Sequence, residues 1–204
     1  KNAAFIPANM MFKDTLTEII VKDGNPVFTS ADGVLYTADP RNANATGDTL
    51  LAYPGAKADE SYSILEGTKT VGEDAFRDNK LLTKVTMPES LEVIKQAAFA
   101  YCYGLTEIVL GKNVHTLEYD AFYYCNNMTS FTLSEKLTPE TVNNSVVGGS
   151  EKLTTLYVPA AAEFVPDSIA KFGALTEIVV EDGNSRYFSD HGVLYERTEE
   201  DGQL

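Results

Sequence analysis

The sequence predicts an elongated, β-rich α/β solenoid of short parallel strands, joined by tight or briefly helical turns and interrupted by β-hairpins. Three observations predict it: a text that repeats every 23 residues, apolar residues that alternate within each repeat, and a Gly-Val-Leu-Tyr phrase that occurs twice at an offset of 159. A unit of about 23 residues cannot bury an apolar face alone, whereas stacked units enclose a continuous core.

The anchor of the repeat is an Ala-Phe pair at Ala75-Phe76, Ala98-Phe99 and Ala121-Phe122. Three columns follow it at the same spacing: Leu82/Leu105/Met128, Val85/Ile108/Phe131 and Met87/Leu110/Leu133. Period two within each copy (Val85 and Met87, Ile108 and Leu110) predicts a short strand with these side chains inward. Val71, Ile94 and Leu117 precede the pair and predict a second short strand. The Ala-Phe segment itself reads as a turn, with Ala where backbones crowd and Phe plugging the core. The Leu-Thr-x-apolar phrase recurs at Leu153–Val158 and Leu175–Val180, and an early copy at Leu16–Val21 predicts a further strand. Ser134–Ser150 departs from the pattern and lacks an Ala-Phe pair, which leaves its convex side open.

The hairpins come next. Asp32-Gly33-Val34-Leu35-Tyr36 and His191-Gly192-Val193-Leu194-Tyr195 each place a glycine at a turn before a β-rich phrase. Leu50–Pro54 reads as the return strand of the first, and Thr37–Asp48, rich in Ala, Asn and Asp, as a mobile tip. Residues 1–204 thus form one elongated domain, with hairpin insertions at about 23–54 and 182–204 and the clearest repeats at about 64–137. The second hairpin reaches Asp201-Gly202-Gln203-Leu204 near where the first reaches Gly47-Asp48-Thr49-Leu50. The last unit therefore stops part-way, and either the natural protein continues or this hairpin frays. The opening Lys1-Asn2, without Met, reads as a trimmed or mature form.

Composition excludes several functions. Sixteen Lys and Arg against 30 Asp and Glu give a net charge of −14, which argues against nucleic acid and against docking on anionic lipid. No apolar run approaches the roughly 20 residues of a membrane-spanning helix, so no membrane insertion is expected.

The phrases Ala98–Leu110 and Ala121–Thr129 resemble the BspA-like leucine-rich repeats of bacterial surface proteins. The Gly-Val-Leu-Tyr hairpin also looks like an element of that group, and the resemblance runs from about Leu16 to Tyr195. It implies a leucine-rich repeat solenoid from an extracellular or cell-surface protein and a role in adhesion to host or bacterial surfaces. It implies no catalysis and brings no catalytic residues with it.

The residues agree with a non-enzymatic reading. No phosphate loop, Gly-x-Ser-x-Gly elbow or His-Glu-x-x-His is present. His115 follows inward Val114 on a position expected to be exposed, and His191 stands at a turn where the other copy has Asp32. Acidic runs such as Glu73-Asp74 and Glu199-Glu200-Asp201 read as solvated surface, and no cofactor is expected. Asn79, Cys102 and Cys125 share a column. It reads either as small buried groups that satisfy turn backbone in successive coils or as a disulfide between adjacent coils. Two sulfurs fall short of the four ligands of a zinc site, and no metal is expected.

Binding offers two candidate surfaces. Alternation exposes Lys84 and Thr86, Glu107 and Val109, Ser130 and Thr132, Thr155 and Tyr157, and Glu177 and Val179 along one wall. Tyr101, Tyr103, Tyr123 and Tyr124 form the second, and Tyr101 and Tyr124 should stack on adjacent coils. Tyrosines supply large, partly polar contact area, although these could equally cap the convex edge of the core. The expected partner is a protein or glycan on a host or bacterial surface, met by a monomer. The alternative is a structural spacer that presents other domains.

Overall fold

The computed structural model describes residues 15–39, 42–143 and 145–198. Among them the chain forms β1 (Phe28–Ala31), β2 (Val34–Asp39), β3 (Asn42–Ala52), β4 (Ser61–Ser63), β5 (Thr70–Val71), β6 (Lys84–Thr86), β7 (Val93–Ile94), β8 (Glu107–Val109), β9 (Thr116–Leu117), β10 (Ser130–Thr132), β11 (Thr155–Val158), a single helical turn α1 (Asp167–Ala170), β12 (Glu177–Val180), β13 (Tyr187–Asp190) and β14 (Val193–Glu196). The opening Lys1-Asn2, the acidic Glu199-Glu200-Asp201 and the closing Asp201–Leu204 lie outside the described residues.

The coils from β4 to β9 each lay one strand on each of two walls. One wall holds the parallel pair β4 and β6, followed by a separate parallel sheet of β8, β10, β11 and β12. The other holds β3, β5, β7 and β9, also parallel. Inward alternation is as the text predicts: Val85 is buried between exposed Lys84 and Thr86, and Ile108 and Phe131 repeat that placement. The second strands bury Val71, Ile94 and Leu117. The threonine of each Leu-Thr phrase ties the coils together. Thr83, Thr106, Thr129, Thr154 and Thr176 each donate from Oγ1 to the carbonyl one coil back, at 2.9 to 3.4 Å.

The Ala-Phe turns make the third side. Backbone donors run from Phe76 to the carbonyl of Ala98 and from Phe99 to that of Ala121, at 2.7 and 2.8 Å. These turns are not helical. Asp74, Ala97 and Asp120 in one column, and Asp78, Tyr101 and Tyr124 in another, have φ between 52 and 61°, which stops a right-handed helix before it completes a turn. Within the core the rings stack: Phe76 on Phe99 at 4.7 Å and Phe99 on Phe122 at 5.1 Å. Tyr53 extends the stack one coil earlier, 5.1 Å from Phe76 and 23 residues before it.

The divergent segment closes the same side with different residues. Val147 fills the place of the phenylalanine, and the backbone of Phe122 donates to the carbonyl of Val146 at 2.8 Å.

Two expectations need correction. Leu16–Val21 is not a strand: its backbone meets the first hairpin through Ile19 N–H to the Gly33 carbonyl at 2.8 Å, and none of the described strands pairs with its other edge. Nor is Thr37–Asp48 a tip throughout; residues 40 and 41, between its two strands, lie outside the described residues. β2 runs to Asp39 and β3 starts at Asn42, and the antiparallel pair absorbs the polar text through register shifts.

Candidate functional site

The exposed wall places its residues in two rows set by register. Glu107, Ser130, Thr155 and Glu177 stand opposite one another on β8, β10, β11 and β12, and Val109, Thr132, Tyr157 and Val179 form the parallel row. Lys84 reaches across from β6 to Glu107 at 2.9 Å. Both partners are largely solvated, so the pair contributes about 0–1 kcal/mol. Between β6 and β8 lies a shallow groove of about 280 Å³ lined by this pair, Met87 and Val109. Val109 and Tyr157 are the large apolar side chains that this wall leaves in water.

The tyrosine edge is built more tightly. Tyr101 and Tyr124 stack face to face at 5.5 Å, as their column requires. Tyr123 stands on edge against both, 5.8 Å from Tyr101 and 4.5 Å from Tyr124, and Tyr103 sits 6.2 Å from Tyr101. All four are half-buried. Burial, with Tyr124 alongside, raises the Tyr123 phenol above its ordinary pKa. Both Tyr101 and Tyr124 have left-handed backbone, with φ of 60 and 55°.

Two contributors escaped the sequence reading. The Arg77 guanidinium lies over the Tyr101 ring, 4.9 Å from its centroid, and also pairs with Asp74 at 3.1 Å. Gly148 and Gly149 form a floor under the cluster. A Cβ on Gly148 would meet the Tyr123 ring at 2.9 Å, and one on Gly149 the Tyr124 ring at 2.8 Å. Spacing held the signal for both. Arg77 precedes the Tyr101 column, and the glycines stand 25 residues beyond Tyr123 and Tyr124, the same step that separates Met128 from Leu153.

The cysteine column is structural. Cys102 and Cys125 are free and buried. Each thiol donates to the phenylalanine carbonyl of the preceding coil, Cys102 to Phe76 at 3.1 Å and Cys125 to Phe99 at 3.2 Å. Ser150 continues the column, donating to the Phe122 carbonyl at 3.2 Å. Asn79 begins it by accepting from the backbone of Leu81 and Leu82. Burial pushes the Cys125 thiol up to about 12 and Cys102 well above its usual value, so neither is a thiolate nucleophile at neutral pH.

The histidines stand apart from these surfaces. His115 is half-buried rather than exposed, and its Nδ1 meets Thr116 Oγ1 at 2.9 Å. His191 sits in a hairpin turn at φ 49°, matching Asp32 at 50°. Among the described residues, no group of three or more His, Cys, Asp or Glu could hold a metal ion. No helix among them is long and apolar enough to cross a membrane.

The ladders of threonine, cysteine and phenylalanine are the marks of one repeat architecture, and a family model for the BspA type leucine-rich repeat region matches residues 55–172 in six copies. The chain belongs to this family. Leucine-rich repeats of the BspA type serve as repeat-based binding or structural modules, and the fold is generally non-enzymatic.

Solved structures agree with this chain in fold. The pneumococcal vaccine antigen PcpA is 29% identical with a TM-score of 0.65, over 82% of this chain and 40% of that one. A leucine-rich repeat protein from Eubacterium ventriosum gives 22% and 0.66 over 81% and 42%. A leucine rich cell surface protein from Faecalibacterium prausnitzii gives 24% and 0.66 over 78% and 41%. The chain spans about two fifths of each of these proteins. No curated protein matches it.

Proposed function

We propose that this chain is a non-enzymatic binding module of a bacterial cell-surface or secreted protein, engaging a protein or glycan on a host or bacterial surface in adhesion. The observation that carries the reading is the tyrosine edge. Four half-buried rings are locked against one another, against Arg77 and against a glycine floor, which removes most of the entropy a binding surface would otherwise lose. Support for the compartment comes from the family and from two relatives described as a vaccine antigen and a cell surface protein. The exposed wall is the second candidate surface, since solenoids engage partners with long lateral faces.

The test is a glycan and surface-protein array probed with the wild-type chain and with the Tyr101→Ser/Tyr124→Ser double variant, whose fold is checked by circular dichroism. A reproducible hit that the double variant loses places the site on the tyrosine edge. A hit that survives it, but is lost in Val109→Glu/Tyr157→Glu, moves the site to the exposed wall. No reproducible hit sinks the binding reading and favours a spacer that presents other domains.

A further inference from the structure

Hairpins β1–β2 and β13–β14 are one device used twice. Their registers match residue for residue at an offset of 159: Phe28 faces Thr37 and Ala31 faces Val34, just as Tyr187 faces Glu196 and Asp190 faces Val193. Their turns match, with positive φ at Asp32-Gly33 and at His191-Gly192. Both are seated on the preceding segment by the same bonds. Ile19 N–H donates to the Gly33 carbonyl at 2.8 Å and Ile178 N–H to the Gly192 carbonyl at 3.0 Å. Val21 N–H donates to Ser30 Oγ at 2.9 Å and Val180 N–H to Ser189 Oγ at 3.4 Å.

Their outer faces differ. The first hairpin is covered on both sides: Phe28 and Leu35 pack with Ile19 and Val21, while Val34 and Tyr36 plug the start of the solenoid core. In the second, Tyr187 and Leu194 pack toward the core as the counterparts of Phe28 and Leu35. The counterparts of Val34 and Tyr36, each 0% exposed, are Val193 and Tyr195, which are 51% and 44% exposed. Phe188 stacks on Tyr195 at 5.1 Å, and the Arg197 guanidinium lies 5.2 Å from the Phe188 centroid, so this face is an aromatic pair flanked by one cation. β2 carries β3 on its outer edge, whereas none of the described strands lies on the outer edge of β14.

We infer that β13–β14 is a coupler whose outer face and β14 edge accept an antiparallel strand of the β3 type, carrying the open end of a further leucine-rich repeat core. The first hairpin shows what the occupant must supply. Leu50 faces Tyr36 and Ala52 faces Leu35 across β2 and β3. The Tyr62 hydroxyl meets the Tyr36 hydroxyl at 2.7 Å. A second copy of this chain does not offer that end free, because its own β3 is already held by β2 and its core start is plugged by Val34 and Tyr36. The occupant is therefore a strand with the Leu-Leu-Ala-Tyr pattern of residues 50–53 that is not already paired.

The probe is a synthetic peptide of sequence Thr46–Tyr62 titrated into the full chain, with a scrambled peptide as control. Hydrogen exchange is followed at Val193–Glu196. The expected result is saturable binding, slowed exchange along β14, and a loss of affinity of about tenfold or more in Tyr195→Asp and in Val193→Lys. Continued protection of Ile178 N–H in both variants shows that the hairpin is still seated. Absence of saturable binding overturns the inference, as does binding indifferent to both variants. Exchange at β14 already as slow as at β2 in the chain alone overturns it too, because the edge is then covered. Self-association of the chain that Tyr195→Asp abolishes assigns the face to a second copy and also overturns it.

Discussion

Tyr36 and Tyr195 stand at the same place in the same hairpin, after the same turn, in the same Gly-Val-Leu-Tyr phrase, and their surroundings are opposite. Tyr36 is buried in the core, on a strand that β3 pairs, and bonded to Tyr62, while Tyr195 is half in water beside Phe188. The local text is enough to form the hairpin and to seat it on the segment before it. It does not decide whether the outer face is core or surface, because that depends on what stacks next. In a solenoid each unit contacts only its neighbours, so the same residues are core where another unit is laid on them and exposed where none of the described residues is.

The largest expected effect separates the two tyrosines. Tyr36→Ala should cost about 3–5 kcal/mol, since it opens a cavity in the core and leaves the Tyr62 hydroxyl without its partner. Tyr195→Ala should cost less than about 1 kcal/mol. Urea unfolding of both variants checks this, and equal losses would erase the distinction between the hairpins.

The next effect is alkaline. Burial, ahead of any other cause, raises the phenols of Tyr36, Tyr53 and Tyr62 above their ordinary value. A group whose folded pKa is raised contributes stability that is complete below its unfolded pKa and is lost above it. Stability should therefore be flat below about pH 10 and fall above it, by about 1.4 kcal/mol per pH unit for each of the three while it stays neutral in the fold. Denaturation midpoints at pH 9, 10.5 and 11.5 measure the slope. Tyr62→Phe should flatten it by about a third, and an unchanged slope would mean that Tyr62 ionises freely in the folded chain.

The smallest effect is one that should not separate the hairpins. Gly33 and Gly192 have φ of 73 and 80°, and a Cβ on either would lie 3.0 Å from the segment beneath. Gly33→Ala and Gly192→Ala should each weaken the local seat by about 1–2 kcal/mol, read as faster exchange at Ile19 and at Ile178. A cost at only one of them would show that the two turns are not equivalent.

The repeat was the most legible feature. Columns at 23 residues announced Val85, Ile108 and Phe131 as inward, the second strands at Val71, Ile94 and Leu117, and the stacking of Tyr101 on Tyr124. Tyr53 was harder to place, because the text puts it in the return strand of a hairpin, whereas β3 ends at Ala52 and the Tyr53 ring belongs to the phenylalanine stack. Gly148 and Gly149 looked like a break in the pattern. Their glycines are what two tyrosine rings from the coil before require, and that match shows only when the two coils are aligned at the 25-residue step. The strand expected at Leu16–Val21 failed for the same reason. Its phrase matches β12, but β12 has β11 beside it and Leu16–Val21 has no described strand on that edge.

The sequence by itself determined the period, the inward columns, the two hairpins and the acidic surface, because alternation, turn chemistry and spacing are local properties of the chain. Only the tertiary structure decided which cysteine reading holds, that Arg77 and two glycines complete the tyrosine edge, and that one hairpin face is core while its twin is open. Each of these depends on contacts between coils, and a coil acquires such contacts only when the next one is laid on it.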